Sequence, residues 1–277
     1  MPHIDPVVVG VARGGSDAAV RFAAGEARRA GQPLDLVHVT PVAHGWAGQL
    51  GQDSLHVAAR RARGVGGERL EIGAHTRTGD PLRELVDVAA GAALLVLERR
   101  RPVVLRQRQA SFTESVADLV DTPLASVPCE WSASSHGVIT VGLDLGHADQ
   151  RALRAAILLA RLRGAVLRVL ATTTPGLSRP RDYAEALLEQ LGADACDLAL
   201  EIVAGDADSA LLGRARRSDL LVLGRHRPLS QDGPRLGPVS RSVVREAVCP
   251  VWLTAPGHVH AGSALDQERG LDAAVAG

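Results

Sequence analysis

The chain has 277 residues, with 31 acidic and 31 Lys or Arg residues, so its formal net charge is zero. This balance gives no electrostatic reason to expect nucleic acid or an anionic membrane as a partner. Lysine is absent, which argues against Walker-type nucleotidases, protein kinases and Schiff-base enzymes, because each of these classes relies on a lysine.

The sequence predicts a cytoplasmic protein. A strand is expected within the first ten residues, which leaves no room for a signal peptide. No apolar run approaches the roughly 18 residues that a membrane span requires. Cys129, Cys196 and Cys249 are odd in number and lack the spacing of a metal or redox motif, so we expect reduced thiols.

The sequence repeats itself in order. Four landmarks recur: the apolar run 7–11 at 138–143, Gly79-Asp80 at Gly205-Asp206, the run 94–97 at 220–223, and 122–124 at 249–251. Equivalent positions lie 126 to 132 residues apart. Near-constant spacing over this length predicts a duplicated domain, and each copy is long enough to have its own core.

In the first copy, short β-branched runs alternate with helical patterns, which is typical of a parallel sheet covered by helices. Strands are predicted near Val7–Val11, Asp35–Val39, Glu71–Thr76, Leu94–Leu97 and Leu124–Val127. A helix is predicted over Ser16–Ala30, with Ser16 capping its first amides and Gly31 ending it. Asp80 and Pro81 start another helix, because a carboxylate accepts from the first amides and proline suits the first turn.

The second copy matches the first element by element. Strands are predicted near Val138–Leu143, Val166–Leu170, Ala199–Val203, Leu220–Leu223 and Val251–Leu253. Helices are predicted over Asp149–Leu162, Asp182–Leu191, Asp208–Ala215 and Val239–Ala247. A Ser-rich linker follows the first copy, and the pattern lapses after Thr254. We therefore predict domains over residues 1–130 and 137–255, and a disordered tail over 256–277.

The sequence thus predicts an α/β fold with two tandem doubly wound, Rossmann-like domains, each a five-stranded parallel sheet flanked by helices. The strand spacing, the Gly-Asp-Pro at 79–81 and the Cys-Pro-Val at 249–251 resemble the universal stress protein family. The resemblance covers both copies. It implies five parallel strands per domain and, in one subclass, ATP at the carboxyl ends of the strands, where ligands of open α/β sheets bind.

The ATP-binding subclass has an Asp at the end of strand one. After strand four it has Gly, two residues, Gly, nine residues, then Gly and Ser or Thr. Such glycines let the backbone approach phosphates, and successive amides at a helix N-terminus hold the anion. In the second copy Asp144, Gly224 and Gly237 stand at positions of this motif. A carboxylate that caps the next turn is the alternative interpretation of Asp144.

Two residues of the second copy depart from the motif. Arg227 replaces the middle glycine, and Pro238, which replaces the hydroxyl residue, has no N–H to donate to a phosphate. The Arg227 guanidinium can bind phosphate instead, assisted by Arg225, His226 and Arg235 of the same loop. A solvated basic loop without a ligand is the alternative. The predicted nucleotide site comprises Gly142, Leu143, Asp144, Thr172, Gly224, Arg225, Arg227, Gly237, Val239 and Ser240.

The first copy has lost most of the motif. Ala12 stands in place of the Asp, and Glu98, Arg101 and Ala110 replace the three glycines. Ser111 remains, but a helix-capping serine explains it without a ligand. Glu98 places negative charge where phosphates would bind, so we predict no ATP in this copy.

Other motifs of the first copy have structural interpretations. We expect Gly14-Gly15-Ser16 to form a tight turn with a helix cap rather than a phosphate loop. The run Arg99–Arg101 predicts a solvated turn, with an anionic partner as the alternative. His38, in the second strand, is expected to be buried and hydrogen-bonded.

No catalytic constellation or metal-ligand cluster emerges from the sequence. The leading hypothesis is a non-catalytic stress-response protein that binds an adenine nucleotide, ATP, in the second domain, with Mg²⁺ present only as the nucleotide's counterion. A nucleotide-independent protein-interaction module is the second hypothesis, with an unidentified protein partner. An ATP-hydrolysing enzyme is the third, and only fold likeness favours it.

The last strand of each copy is expected at a sheet edge, where unpaired backbone groups need a partner. The resemblance implies pairing through that strand. We therefore predict that the two domains form an internal pseudo-dimer, to which a homodimer of the whole chain is a further possibility.

Overall fold

A computed structural model describes residues 4–41, 46–100, 111–133, 135–145, 150–172, 179–193, 197–225 and 234–256. The predicted tail beyond residue 256 lies outside these ranges. So do Arg101, Ala110, Cys196, His226 and Arg227, whose predicted roles stay predictions.

Over its described residues, the first half of the chain contains five strands and four helices. Its strands are β1 (Val7–Gly10), β2 (Leu34–Thr40), β3 (Ile72–Thr78), β4 (Leu94–Arg99) and β5 (Leu124–Pro128). Its helices are α1 (Asp17–Ala30), α2 (Trp46–Gly66), α3 (Pro81–Ala89) and α4 (Phe112–Leu119). Each strand overlaps its predicted range.

The second half repeats this order. Its strands are β6 (Val138–Asp144), β7 (Val166–Thr172), β8 (Leu198–Val203), β9 (Leu220–Leu223) and β10 (Val251–Leu253). Its helices are α5 (Gln150–Arg163), α6 (Pro180–Gln190), α7 (Ala207–Ala215) and α8 (Pro238–Glu246). The α/β fold predicted from the sequence is confirmed.

All ten strands form one sheet in the order β3-β2-β1-β4-β5-β10-β9-β6-β7-β8. Within each half the neighbouring strands are parallel. The halves join through β5 and β10, which pair antiparallel with Val251 opposite Ser126 and Leu253 opposite Leu124. This is the pairing that an internal pseudo-dimer through the last strands requires.

The two halves also share their cores. Alternate residues of a strand point to opposite sheet faces, and accordingly Val7 and Val9 belong to one buried cluster and Val8 to another. Each cluster contains side chains from both halves, for example Val96 with Val222 in one and Leu124 with Val251 in the other. Apolar packing is therefore continuous across the junction.

Helix α2 spans 21 residues that the sequence patterns left unassigned. Its glycines lower its intrinsic helix propensity. Gly51 is required by packing, since a Cβ there would lie 2.6 Å from Cδ2 of the His38 ring. His38 is buried as predicted, and its Nδ1 donates to the Val11 carbonyl at 2.8 Å. None of the helices in the described ranges is both long and apolar enough to cross a bilayer.

The ends of two helices test the capping predictions. Asp80 accepts hydrogen bonds from the amides of Leu82 and Arg83 at 2.8 and 3.0 Å, as predicted. The predicted cap by Ser16 is wrong, because its Oγ accepts from the Ala12 amide at 3.0 Å and makes no cap bond. A carboxylate oxygen of Glu98 accepts from the amide of Ala18, in the first turn of α1, at 3.1 Å.

The buried thiol of Cys249 provides a test of the junction's packing. The side chain is buried immediately before β10, and burial raises its pKa to about 12. Because only the thiolate reacts with iodoacetamide, we expect Cys249 to remain unmodified at pH 8 in the folded protein and to react fully in denaturant. Peptide mass spectrometry after a short pulse measures this. Modification in buffer at the denatured rate would contradict the burial.

Candidate functional site

A cavity of about 260 Å³ opens in the second half where the strand order reverses, between β6 and β9. Ligands of open α/β sheets bind at the carboxyl ends of strands at this position. Eight of the ten predicted site residues line the cavity: Gly142, Leu143, Asp144, Thr172, Gly224, Gly237, Val239 and Ser240. The fold thus brings together residues that lie almost 100 positions apart in the sequence.

Gly142 has a packing role that its place in the cavity wall does not reveal. A Cβ at this position would lie 2.8 Å from Cδ2 of Leu223 and 3.2 Å from Cδ2 of Leu211. Gly10, its counterpart in the first half, has the same relation to Leu97, at 2.8 Å. The glycine shared by both halves is therefore explained by the close approach of leucine side chains, with or without a ligand.

The carboxyl ends of β6 and β7 place Asp144 and Thr172 side by side, since they are register partners. The Asp144 side chain is exposed. Among the described residues of the cavity wall, it is the only one with a carboxylate. Thr172 Oγ1 donates to the Leu143 carbonyl at 3.5 Å. A carboxylate at this edge is suited to accept hydrogen bonds from ligand hydroxyl or amino groups.

The N-terminus of α8 forms the opposite wall. Gly237 is its N-cap residue and provides no side chain to accept from the first amides. Pro238 has no N–H, so the first amides of the helix belong to Val239 and Ser240. Uncapped amides at the positive end of the helix dipole are suited to bind an anion.

The equivalent helix of the first half, α4, is closed to an anion. The Ser111 hydroxyl accepts from the Glu114 amide at 3.3 Å, and the Glu114 carboxylate accepts from the Ser111 amide. This reciprocal capping box satisfies the amides of Ser111 and Glu114 and holds a carboxylate at the helix end, as the interpretation of Ser111 as a cap predicted. The two halves therefore differ at the position where a phosphate would bind.

The predicted phosphate contact of Arg225 is corrected by the structure. Its side chain is 1% exposed and donates to the carbonyls of Thr254 in the second half and of Ala117, Val120 and Thr122 in the first. Burial lowers the pKa of the guanidinium to about 10, so it remains charged at neutral pH. Arg225 joins the two halves and does not line the cavity.

Arg235 also forms hydrogen bonds between the two halves. Its guanidinium donates to Asp121 at 2.9 Å, and its amide donates to Asp118 at 2.8 Å. No basic side chain is found among the described residues that line the second-half cavity. Over the same described ranges, no three His, Cys, Asp or Glu side chains cluster as metal ligands.

Part of the chain is similar to a known protein family. Residues 136–255 match the model of the Universal stress protein family. Among curated proteins, no sequence matches the chain at a significant level.

Solved structures share the whole fold. A universal stress protein from Archaeoglobus fulgidus DSM 4304 is similar over 90% of this chain and 98% of its own, with a TM-score of 0.73 and 16% identity. A functionally unknown protein from Pseudomonas aeruginosa PAO1 is similar over 91% and 93%, with a TM-score of 0.61 and 18% identity. The cytoplasmic domain of a prokaryotic cation chloride cotransporter is similar over 92% and 96%, with a TM-score of 0.56 and 10% identity. At such identities these likenesses show the fold alone.

Proposed function

We propose that the protein, whose residues 136–255 match the model of the universal stress protein family, is a non-catalytic stress-response regulator that binds an adenine nucleotide in its second half. ATP is the candidate ligand. We further propose that it works in the cytoplasm as two domains, residues 1–130 and 137–255, of which the first holds no nucleotide.

One observation carries this proposal: the helix that faces the cavity is uncapped in the second half and capped in the first. Gly237 offers no side chain to the amides of Val239 and Ser240. In α4, the Ser111 hydroxyl accepts from the Glu114 amide, and the Glu114 carboxylate places negative charge at the helix end. An uncapped helix end beside a cavity at the strand-order reversal favours an anionic ligand there.

The size and lining of the cavity limit how the nucleotide fits. About 260 Å³ is slightly below the usual range of ligand pockets, which suits a base and ribose beside Asp144 and Thr172 rather than a whole triphosphate. The phosphates would then lie toward α8. Asp144 is a single carboxylate, so Mg²⁺ would be held mainly by the phosphates. Binding would act as a regulatory signal, because no described residue of the cavity is paired with a base to activate water.

The proposal predicts that Gly237→Asp weakens nucleotide binding at least tenfold without harming the fold. Aspartate is a preferred N-cap residue, so it would stabilise α8 while placing a carboxylate where the phosphate binds. We expect the affinity for AMP and ATP to fall at least tenfold in calorimetry with Mg²⁺, and that for uncharged adenosine to fall less. Thermal unfolding should be unchanged or higher.

Asp144→Ala provides the second arm of the experiment. It should lower the affinities for adenosine and AMP to the same extent, because the carboxylate faces the ribose or base in the proposed arrangement. Asp53→Ala, which removes an exposed carboxylate from α2, is the matched control and should leave both affinities unchanged.

A nucleotide-independent interaction module is the second candidate, and the use of Arg225 and Arg235 between the halves favours it. Absence of binding heat with adenosine, AMP and ATP at millimolar concentration would remove the nucleotide proposal and support this candidate.

A further inference from the structure

The first half contains a larger cavity at the position equivalent to the nucleotide site. It measures about 630 Å³ and opens at the carboxyl ends of β1 and β4, where the strand order of this half reverses. Its wall includes six apolar side chains: Val11, Val37, Val39, Leu85, Leu97 and Phe112. The cavity is therefore within the size range of small-molecule sites, which are mostly apolar.

The polar groups of this wall are already paired within the protein. Ser16 Oγ accepts from the Ala12 amide, and His38 Nδ1 donates to the Val11 carbonyl. Glu98 accepts from the Ala18 amide at the start of α1. Two amides near the end of β1, those of Ala12 and Ala18, are thus occupied by side chains of the protein itself.

The charges of the wall also disfavour an anion. Glu98 stands where the second half has Gly224, and burial raises the pKa of its carboxyl. Arg13 lies on the same wall, so the two formal charges cancel. Among the described residues, the wall carries no net positive charge, and the helix end beside it carries the Ser111–Glu114 capping box. A phosphate would therefore lose its water without gaining a compensating charge from these residues.

Phe112 makes the opening of the first-half cavity apolar. It is the first residue of α4 and remains 47% exposed although it lines the cavity. The second half has the smaller Pro238 as the first residue of α8. An aromatic ring left partly in water beside an apolar cavity loses exposed apolar surface when an apolar ligand covers it, which favours binding.

We propose that the first-half cavity binds an uncharged, predominantly apolar small molecule. The site is separate from the nucleotide site, because no described residue lines both cavities. In this assignment the duplicated fold presents two ligand sites of opposite chemistry, one for an anion and one for an apolar molecule.

The probe is N-phenyl-1-naphthylamine, a neutral aromatic amine that fluoresces when it leaves water. We expect the intact protein to bind it in a saturable manner, and Ala12→Trp to weaken binding at least tenfold. Ala12 is exposed on the cavity wall, so a large ring there fills the space without entering the core. Val239→Trp, which narrows the second-half cavity, is the matched control and should leave the probe's affinity unchanged.

Phe112→Ala is a second variant, chosen because removal of a half-exposed side chain leaves the fold intact. It should lower the affinity for the probe at least threefold. Saturable binding lost in both cavity variants and retained in Val239→Trp would establish the site. No saturable fluorescence, or equal loss in Val239→Trp, would overturn the proposal. Displacement of the probe by millimolar AMP in the Gly237→Asp variant would also overturn it, because the first-half cavity would then accept an anion.

Discussion

Replacement of Arg225 by methionine should lower the free energy of unfolding by about 3–5 kcal/mol, the cost typical of breaking a buried charged network. The guanidinium donates to four carbonyls, of Ala117, Val120, Thr122 and Thr254. Methionine has a similar length and donates to none of them, so these buried acceptors would lose their partner. Urea unfolding followed by circular dichroism measures the change.

The position of the carbonyls makes this loss specific to the junction. Ala117 and Val120 belong to the C-terminal end of α4, where the helix dipole favours a cation. We therefore expect Arg225→Met to loosen the contact between halves as well as to lower stability. Unfolding followed separately at Trp131 and Trp252 would then lose its common midpoint.

Arg217→Met is the matched control, because Arg217 is exposed just after α7. This replacement should change the free energy of unfolding by no more than about 0.5 kcal/mol. Arg225→Lys keeps the charge but lacks the fork that reaches several carbonyls at once, so we expect it to recover less than half of the loss. Equal stability of the methionine variant and the unmodified protein would show that the four hydrogen bonds contribute nothing net.

Arg99 makes the mirror-image contact. It is 3% exposed and donates to the carbonyls of Arg245 and Ala247 at the C-terminal end of α8. The prediction that Arg99 lies in a solvated turn is therefore wrong, although its neighbour Arg100 is exposed. Each half thus directs one arginine into the end of a helix in the other half.

The sequence could predict the elements within a half because their signals are local. Buried parallel strands appear as short apolar runs, and Asp80 and Gly31 mark helix ends through their own side chain or backbone freedom. The missing cap by Ser16 shows where this reasoning stops. Its hydroxyl bonds Ala12 within the turn, while Glu98, 80 residues away, reaches the start of α1.

The roles of the loop arginines were not predictable for the same reason. In sequence, Arg225 and Arg235 stand in a motif associated with phosphate, and their charge agrees with that function. Except for the Thr254 carbonyl, their partners are carbonyls and carboxylates more than 100 residues away, which come near only after β5 and β10 pair. The offset that aligns Arg99 with Arg225 was the available signal that both serve the duplication.

The loop after the fourth strand therefore has two competing uses in this fold. It can bind a phosphate, or it can attach one half to the other. In the second half, Arg225 serves attachment while Gly224 and Gly237 line the cavity. In the first half, Arg99 serves attachment and Glu98 occupies the amide of Ala18. Attachment is common to both halves, whereas only the second keeps an uncapped helix for an anion.

Removal of the Asp118 carboxylate should have the second large effect, lowering the free energy of unfolding by about 3 kcal/mol in Asp118→Ala. One oxygen accepts from the amides of Arg235 and Leu236 at 2.8 and 3.0 Å, and the other accepts from Arg241 at 2.6 Å. All three donors belong to the second half. Three charge-assisted hydrogen bonds at about 1.5–3 kcal/mol each, offset by re-solvation of the donors, account for the estimate.

Asp121→Ala is the matched control on the same stretch of chain. Asp121 pairs with Arg235 at 2.9 Å, but its side chain is 72% exposed, so we expect a change below about 1 kcal/mol. A double-mutant cycle of Asp118→Ala with Arg241→Met isolates the direct ion pair, for which we expect a coupling of about 1–2 kcal/mol.

The size of this coupling tests why a first half pairs with a second half and not with another first half. Helix α4 and the turn after it present Glu114, Asp118 and Asp121, whereas the second half presents Arg235, Arg241 and Arg245. Pairing of two first halves would place carboxylates against carboxylates, and pairing of two second halves would place arginines against arginines, each at a cost. If Asp118 and Arg241 showed no coupling, charge would not select the partner, and the apolar pairing of β5 with β10 would have to do so alone.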